Sequence, residues 1–215
     1  MQGRSTALGI AQAAIALGTA VYFPRWYGSF ESSHPEALEV AVVMLGVLTF
    51  AVLAITTPPN IHGNKLLGLA FGIGATAMGA VCSHVIIVFF GAPVFQLSWK
   101  TFLLALVVSI LTVPHVALHF RPSSSGASPY IDLLLHAKYR NASELQMAWT
   151  SIGTVFGAYI GTVFIPLDWD RPWQQWPLPC VYGALYGHVV GIALSVVVAF
   201  TGASASFGLV QSKRE

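Results

Sequence analysis

The stretches GTVFGAYIG, residues 153–161, and GALYGHVVG, residues 183–191, each place three glycines four residues apart. The six glycines are Gly153, Gly157, Gly161, Gly183, Gly187 and Gly191. On a helix, residues at i, i+4 and i+8 form a stripe along one face. A glycine stripe lets another backbone approach closely, which favours helix association in lipid. These stripes predict two helices that pack against each other or bind a partner, and the two uses can coexist.

The composition around these stretches places the chain in a membrane. Of its 215 residues, 55% are hydrophobic and only 8% are charged, against about 25% charged residues in a typical soluble domain. So few charged side chains cannot cover a surface that faces water, and the chain is therefore expected to be an integral membrane protein.

Six apolar runs are long enough to cross a bilayer, which takes about 20 residues. They lie at 6–23, 38–56, 66–90, 101–120, 145–166 and 180–200. The alternating pattern of a β-barrel is absent, so helices must satisfy the backbone within lipid. The first run also resembles a signal peptide, but it is longer than the usual apolar region, and we expect it to be retained. The prediction is an all-α bundle of six transmembrane helices in a single domain, residues 1–215.

The basic residues predict the orientation of this bundle. Seven would lie on the side of the termini, namely Arg4, Lys65, Arg121, Lys138, Arg140, Lys213 and Arg214, and three on the other, namely Arg25, Lys100 and Arg171. Lys and Arg favour the cytoplasmic side. Both termini and the Ser-rich loop 121–144 are therefore predicted to be cytoplasmic. The Trp- and Pro-rich loop 167–179 is predicted to be lumenal.

The segment 165–179 reads IPLDWDRPWQQWPLP and joins the fifth run to the sixth. Its distinctive residues are Pro166, Asp168, Trp169, Asp170, Arg171, Pro172, Trp173, Trp176 and Pro177. Prolines restrict the chain and tryptophans favour headgroup depth, so a rigid cap on the membrane surface is expected. The charged residues would satisfy each other, backbone amides or a partner. Two carboxylates could also hold a divalent cation, but they are the only acidic donors here and Arg171 offers a counter-charge, so no metal is expected.

The polar residues of the spans do not form a recognisable catalytic set. No HExxH, GxSxG or phosphate-loop motif occurs. His115 and His119 share a helix face, but a zinc site would need a third ligand, which the sequence does not indicate. His84 and His188 lie inside the third and sixth spans, and intramembrane histidines often mark a function. We predict no catalytic residue, metal or cofactor, and keep His84 and His188 as candidates for contact with a lipid headgroup.

Two stretches resemble a known family. The segment PLDWDRPWQQWPLPC, 166–180, is followed by YGALYG, 182–187, and VIIVFFGAPVFQL, 85–97, is followed by KTFLLAL, 100–106. Both resemble the PIG-F family. The resemblance implies a small non-catalytic subunit of the ethanolamine-phosphate transferases of glycosylphosphatidylinositol (GPI) anchor biosynthesis in the endoplasmic reticulum membrane. It also implies a large catalytic partner, PIG-O-like or PIG-G-like, and no active-site residues in this chain.

Two other functions remain open from the residues. The chain could be a lipid-handling module or a small transporter, in which His84, His188 and the loop line a path for a phospholipid or glycolipid headgroup. It could also be an enzyme that uses Asp168 and Asp170 with a metal.

Overall fold

A computed structural model describes residues 2–33, 35–56, 64–93, 95–120, 133–134, 139 and 141–201. Most of the predicted cytoplasmic loop, residues 121–132 in particular, lies outside the described residues, as do the basic residues near the C-terminus. Wherever the chain is described, it is helical or irregular and contains no strand.

The helices follow the apolar runs of the sequence. They are α1 Gln2–Leu17, α2 Phe23–Trp26, α3 Glu36–Thr56, α4 Lys65–Phe89, α5 Ser98–His119, α6 Ala142–Val163 and α7 Leu178–Phe200, with a π-helical segment Gly18–Tyr22 between α1 and α2. Two helices begin at an asparagine cap, because Asn64 accepts a hydrogen bond from the Leu66 amide and Asn141 accepts one from the Glu144 amide, both at 2.9 Å.

Each of the six predicted spans falls on a helix, and five of these helices are long and apolar enough to cross a membrane. The five are Thr6–Trp26, Glu36–Thr56, Lys65–Phe89, Ser98–His119 and Leu178–Phe200. The remaining predicted span lies on α6, which has 22 residues but carries Gln146, Thr150 and Thr154. These side chains are buried inside the bundle, so they lower the mean hydropathy without facing lipid. The count of six spans remains a prediction.

Three connections meet at one end of the bundle, which we call the loop end. Trp99 at the start of α5 donates to Glu39 at the start of α3 (2.5 Å), and Tyr182 near the start of α7 donates to Glu31 (3.2 Å). At the opposite end, His119 at the end of α5 lies 3.7 Å from Glu144 at the start of α6. The helices therefore alternate in direction.

Helix α5 is the centre of the bundle. It packs against α3, α4, α6 and α7, and most of its side chains are buried. Helix α6 has its most extensive contact with α7, whereas α4 packs mainly on α5. This arrangement leaves a space between α4 and α6 above the α5 surface.

Candidate functional site

The two glycine stripes face each other in the contact between α6 and α7. A Cβ atom built on Gly157 would overlap the carbonyl oxygen of Gly183, and one built on Gly187 would overlap that of Gly153. The contact extends along the pair, because Gly161 lies against the Pro179 carbonyl in the same way. The stripes are therefore occupied within the chain. A partner that needed the same stripes would have to separate α6 from α7.

His188 lies inside this helix pair. It is 2% exposed, and its Nδ1 atom is 3.0 Å from the hydroxyl of Thr154. The ring of His84 packs instead on α5, with its centroid 5.7 Å from that of Phe102. The two histidines named by the sequence thus lie in different helix contacts, and His188 does not face the surroundings of the bundle.

A buried polar cluster connects α1, α5 and α6. The side-chain amide of Gln146 donates to Gln12 (3.1 Å), and the Gln12 amide nitrogen lies 3.4 Å from His115. A cavity of about 10 Å³, lined by Gln12, Thr49, His115 and His188, adjoins the cluster and has room for about one water molecule. Gln146 was not predicted as a site residue, although a glutamine within an apolar span is the signal that could have identified it.

No group of three or more His, Cys, Asp or Glu residues that could hold a metal ion is found within the described ranges. His115 and His188 both line the small cavity. The imidazole of His115 contacts Gln12, and that of His188 contacts Thr154.

Gln174 holds the loop between α6 and α7 in shape. Its side-chain nitrogen donates to the carbonyls of Phe164 and Leu167, and its side-chain oxygen accepts from the Arg171 amide, all at 2.8 Å. Gln174 is only 9% exposed. The prolines had predicted a rigid loop, but this clamp was not predicted, since nothing in the sequence distinguishes Gln174 from the neighbouring Gln175.

The loop is also fixed to the bundle through its aromatic residues. The indole of Trp176 donates to the hydroxyl of Thr101 on α5 (3.0 Å). The rings of Phe164, Trp169 and Trp173 form a cluster with centroids 6.0–6.4 Å apart. Trp169 remains 54% exposed, so it presents one face outward.

The three charged side chains of the loop point outward. Asp168, Asp170 and Arg171 are exposed, and none of them forms an ion pair with another residue that the structure describes. Asp170 has a φ of 46°, a left-handed conformation that aspartate adopts more readily than most non-glycine residues. The clamp at Gln174 bonds backbone groups only and leaves the three charged side chains free for contact with other molecules.

An apolar groove of about 1020 Å³ lies between α4 and α6, with α5 as its floor. The floor includes Leu104 and Val108, and the walls include Ile86 on α4 and Val155 on α6. At the loop end the groove reaches Trp176. This groove was not predicted, because no single element of the chain forms it.

The family described as "GPI biosynthesis protein family Pig-F" matches residues 15–196. A human relative, "GPI ethanolamine phosphate transferase, stabilizing subunit", is 37% identical over 123 residues, which cover 55% of this chain and 52% of the relative. "Glycosylphosphatidylinositol anchor biosynthesis protein 11" of Yarrowia lipolytica is 35% identical over 194 residues, 87% of this chain and 84% of the relative. The Saccharomyces cerevisiae protein of the same name is 31% identical over 144 residues, 65% of this chain and 58% of the relative.

The chain thus spans about half the length of the human relative in this match. No solved structure matches this chain.

Proposed function

The chain belongs to the Pig-F family of GPI biosynthesis proteins, and from this premise we propose that it is a non-catalytic stabilising subunit of an ethanolamine-phosphate transferase. It would pack against a large catalytic membrane subunit, PIG-O-like or PIG-G-like, in the endoplasmic reticulum membrane. The observation that carries the proposal is the similarity to the human and mouse relatives, each named as the stabilizing subunit of GPI ethanolamine phosphate transferase.

The loop 167–179 supports a docking role. Its backbone is held by Gln174 and the indole of Trp176 is anchored on α5, whereas Asp168, Asp170 and Arg171 are exposed. A preformed surface loses little conformational entropy when it binds a partner. This loop is the surface that we assign to the catalytic subunit.

The charge distribution supports a lumenal position of this loop. The described residues of the loop end include five acidic residues, Glu31, Glu36, Glu39, Asp168 and Asp170, and three basic residues, Arg25, Lys100 and Arg171. The other seven of the ten basic residues in the sequence are predicted on the opposite side. Of these, Arg4 and Lys65 lie at the starts of α1 and α4, and the other five lie outside the described residues. Because basic residues favour the cytoplasm, the loop end would face the lumen, and six spans would place both termini in the cytoplasm.

Affinity purification of the tagged full-length chain tests the proposal. In mild detergent, a much larger transferase subunit should co-purify, and mass spectrometry should identify it. Purified without that subunit, the chain should show no transferase activity. Transferase activity of the isolated chain, or purification without any larger membrane protein, would contradict the proposal.

A lipid-handling module is the second candidate function, and the groove between α4 and α6 favours it. In that case the chain alone should move a labelled phospholipid across the membrane of liposomes. A larger side chain that fills the groove should stop this movement. Transport that requires no other protein would favour this alternative over the stabilising subunit.

A further inference from the structure

We propose that the groove between α4 and α6 binds the acyl chains of a zwitterionic phospholipid from the leaflet at the loop end. The groove has a volume of about 1020 Å³, at the upper end of the range of about 300–1,000 Å³ for small-molecule sites. This inference goes beyond the proposed function, because lipid binding by this chain does not require the catalytic subunit.

The lining of the groove suits hydrocarbon. Its walls are mainly aliphatic and aromatic, and Ile86 and Val155 remain 54% and 55% exposed. The hydroxyls of Thr112 and Thr162 donate to carbonyls of their own helices, at 2.8 and 2.7 Å. These hydroxyl protons are therefore already used, and the groove offers little to a polar ligand.

The part of α6 that lines the groove has about the length of one leaflet. It runs from Ser151 to Thr162, which is about 17 Å at 1.5 Å per residue. The hydrocarbon core of a bilayer is about 30 Å thick, so this part of α6 covers roughly half of it, and Pro166 and Leu134 line the two ends of the groove beyond it. An acyl chain of one leaflet fits this length, whereas a transmembrane helix of a partner would extend well beyond it.

An aromatic pair narrows the groove near the loop end. The ring of Phe90 on one wall contacts the ring of Tyr159 on the other, with centroids 6.5 Å apart. A helix with its side chains is about 10–12 Å across, so it could not enter beside α5 unless this pair separated. A thin, flexible acyl chain can lie beneath the two rings.

The mouth of the groove complements a zwitterion. Pro166 and Trp176 line the groove at this end, and the Cα of Asp168 is at most about 8 Å from that of Pro166, since consecutive Cα atoms are 3.8 Å apart. The exposed carboxylates and the Trp169 ring can attract an ammonium group. The guanidinium of Arg171 suits a phosphate, so a headgroup that carries both charges matches this end.

Photo-crosslinking in membranes tests the inference. The full-length chain would be reconstituted with phosphatidylethanolamine that carries a diazirine in one acyl chain, and labelled peptides would be mapped by mass spectrometry. Val155→Trp fills the groove, whereas Val197→Trp changes a residue of α7 that is equally exposed (54%) but lies outside the groove. Val155→Trp should reduce labelling of α4 and α6 about tenfold, because the indole takes the volume of the chain, and Val197→Trp should leave it unchanged.

The headgroup is tested with a matched probe, phosphatidylglycerol with the same diazirine chain. Wild type should prefer the ethanolamine probe, and the double variant Asp168→Asn, Asp170→Asn should lose this preference while it retains groove labelling. Equal labelling by both probes in wild type would overturn the zwitterion assignment. Equal labelling inside and outside the groove would overturn the site altogether.

The amount of co-purifying transferase, measured on the same variants in cell membranes, separates this inference from the proposed function. If Val155→Trp removes the lipid label and retains the transferase, the groove is a lipid site. If it removes the transferase, the groove is a partner contact and the inference fails. If no variant co-purifies a transferase, the proposed function fails, and the labelling still decides the lipid site. Should Val155→Trp fail to accumulate, Ile86→Trp on the opposite wall serves in its place.

Discussion

The contact between α6 and α7 and the space between α4 and α6 differ in the side chains that line them. Glycines on both helices of the first let backbone meet backbone, so that carbonyl oxygens occupy the places of absent Cβ atoms. The second is lined by large side chains such as Phe90 and Tyr159, which keep the two backbones apart. In lipid, close packing is a main source of helix association. In the same bundle, small residues therefore give a rigid helix pair, α6 with α7, and large residues leave an opening between α4 and α6.

The largest expected effect is the loss of the rigid pair. Gly157→Leu would force a side chain against the carbonyl of Gly183, where only backbone atoms could move to make room for it. Overpacking typically costs about 1–3 kcal/mol and occasionally more. Because the clash here is with backbone, we expect a cost at the upper end and little folded protein in the membrane. Gly157→Ala should show the same defect in a milder form. Both are measured by the yield of monodisperse protein in detergent.

Gly74→Ala is the matched control for this prediction. A Cβ on Gly74, also inside a helix, meets nothing within 4 Å. Its substitution should leave the yield unchanged or raise it slightly, because alanine restricts the unfolded chain. Normal yield of both Gly157 variants would mean that the stripes do not hold the pair together.

The next largest effect is expected at the clamp of the loop. Gln174→Ala removes three hydrogen bonds, each with a net contribution of about 0.5–1.5 kcal/mol. A loss of about 2–3 kcal/mol should lower the thermal stability of the purified chain by several degrees. Gln175→Ala, at the exposed neighbouring glutamine, should have no effect. Equal stability of the two variants would show that the prolines alone hold the loop.

A smaller effect is expected in the polar cluster beside the pair. Gln146→Leu leaves Gln12 without its donor inside the bundle, which costs about 1–2 kcal/mol. The double variant Gln12→Leu, Gln146→Leu should recover part of this loss, because no amide is then left unpaired there. Thermal stability of the two single variants, Gln146→Leu and Gln12→Leu, and of the double variant measures the coupling, and strictly additive losses would contradict it.

The smallest effect is expected from the outward-facing charges. Asp168→Asn with Asp170→Asn should change the thermal stability of the purified chain by less than about 0.5 kcal/mol, because both carboxylates are exposed and unpaired among the described residues. A large loss of stability would show that these carboxylates help to hold the shape of the loop, as the contact between α6 and α7 holds those two helices together.

The features that could be predicted from the sequence are those that lie within a single helix. Spacing was enough for the glycine stripes, and the apolar runs located the six helices, although α6 carries the polar residues Gln146 and Thr154, which face inward. The clamp at Gln174 was out of reach, since its partners Phe164 and Leu167 are set by the fold of the loop. The groove depends on the distance between α4 and α6, which is set by the packing of both helices on α5 and by the side chains between them.

The expectation for the charges of the loop stays a prediction. The charges of the loop were expected to satisfy each other, backbone amides or a partner. Arg171 contributes its backbone amide to the clamp, but its guanidinium forms no ion pair with Asp168, Asp170 or any other described residue. The loop holds its shape through an amide side chain and indole groups, so its charges are left for an external partner or headgroup.

The membrane abundance of the large transferase subunit tests the central claim most directly. It would be measured by quantitative mass spectrometry in cells that produce the wild-type chain, the Gly157→Leu variant or no chain. A stabilising subunit predicts that the transferase falls to the same low level in the last two. An unchanged amount of transferase in cells without this chain would contradict the account.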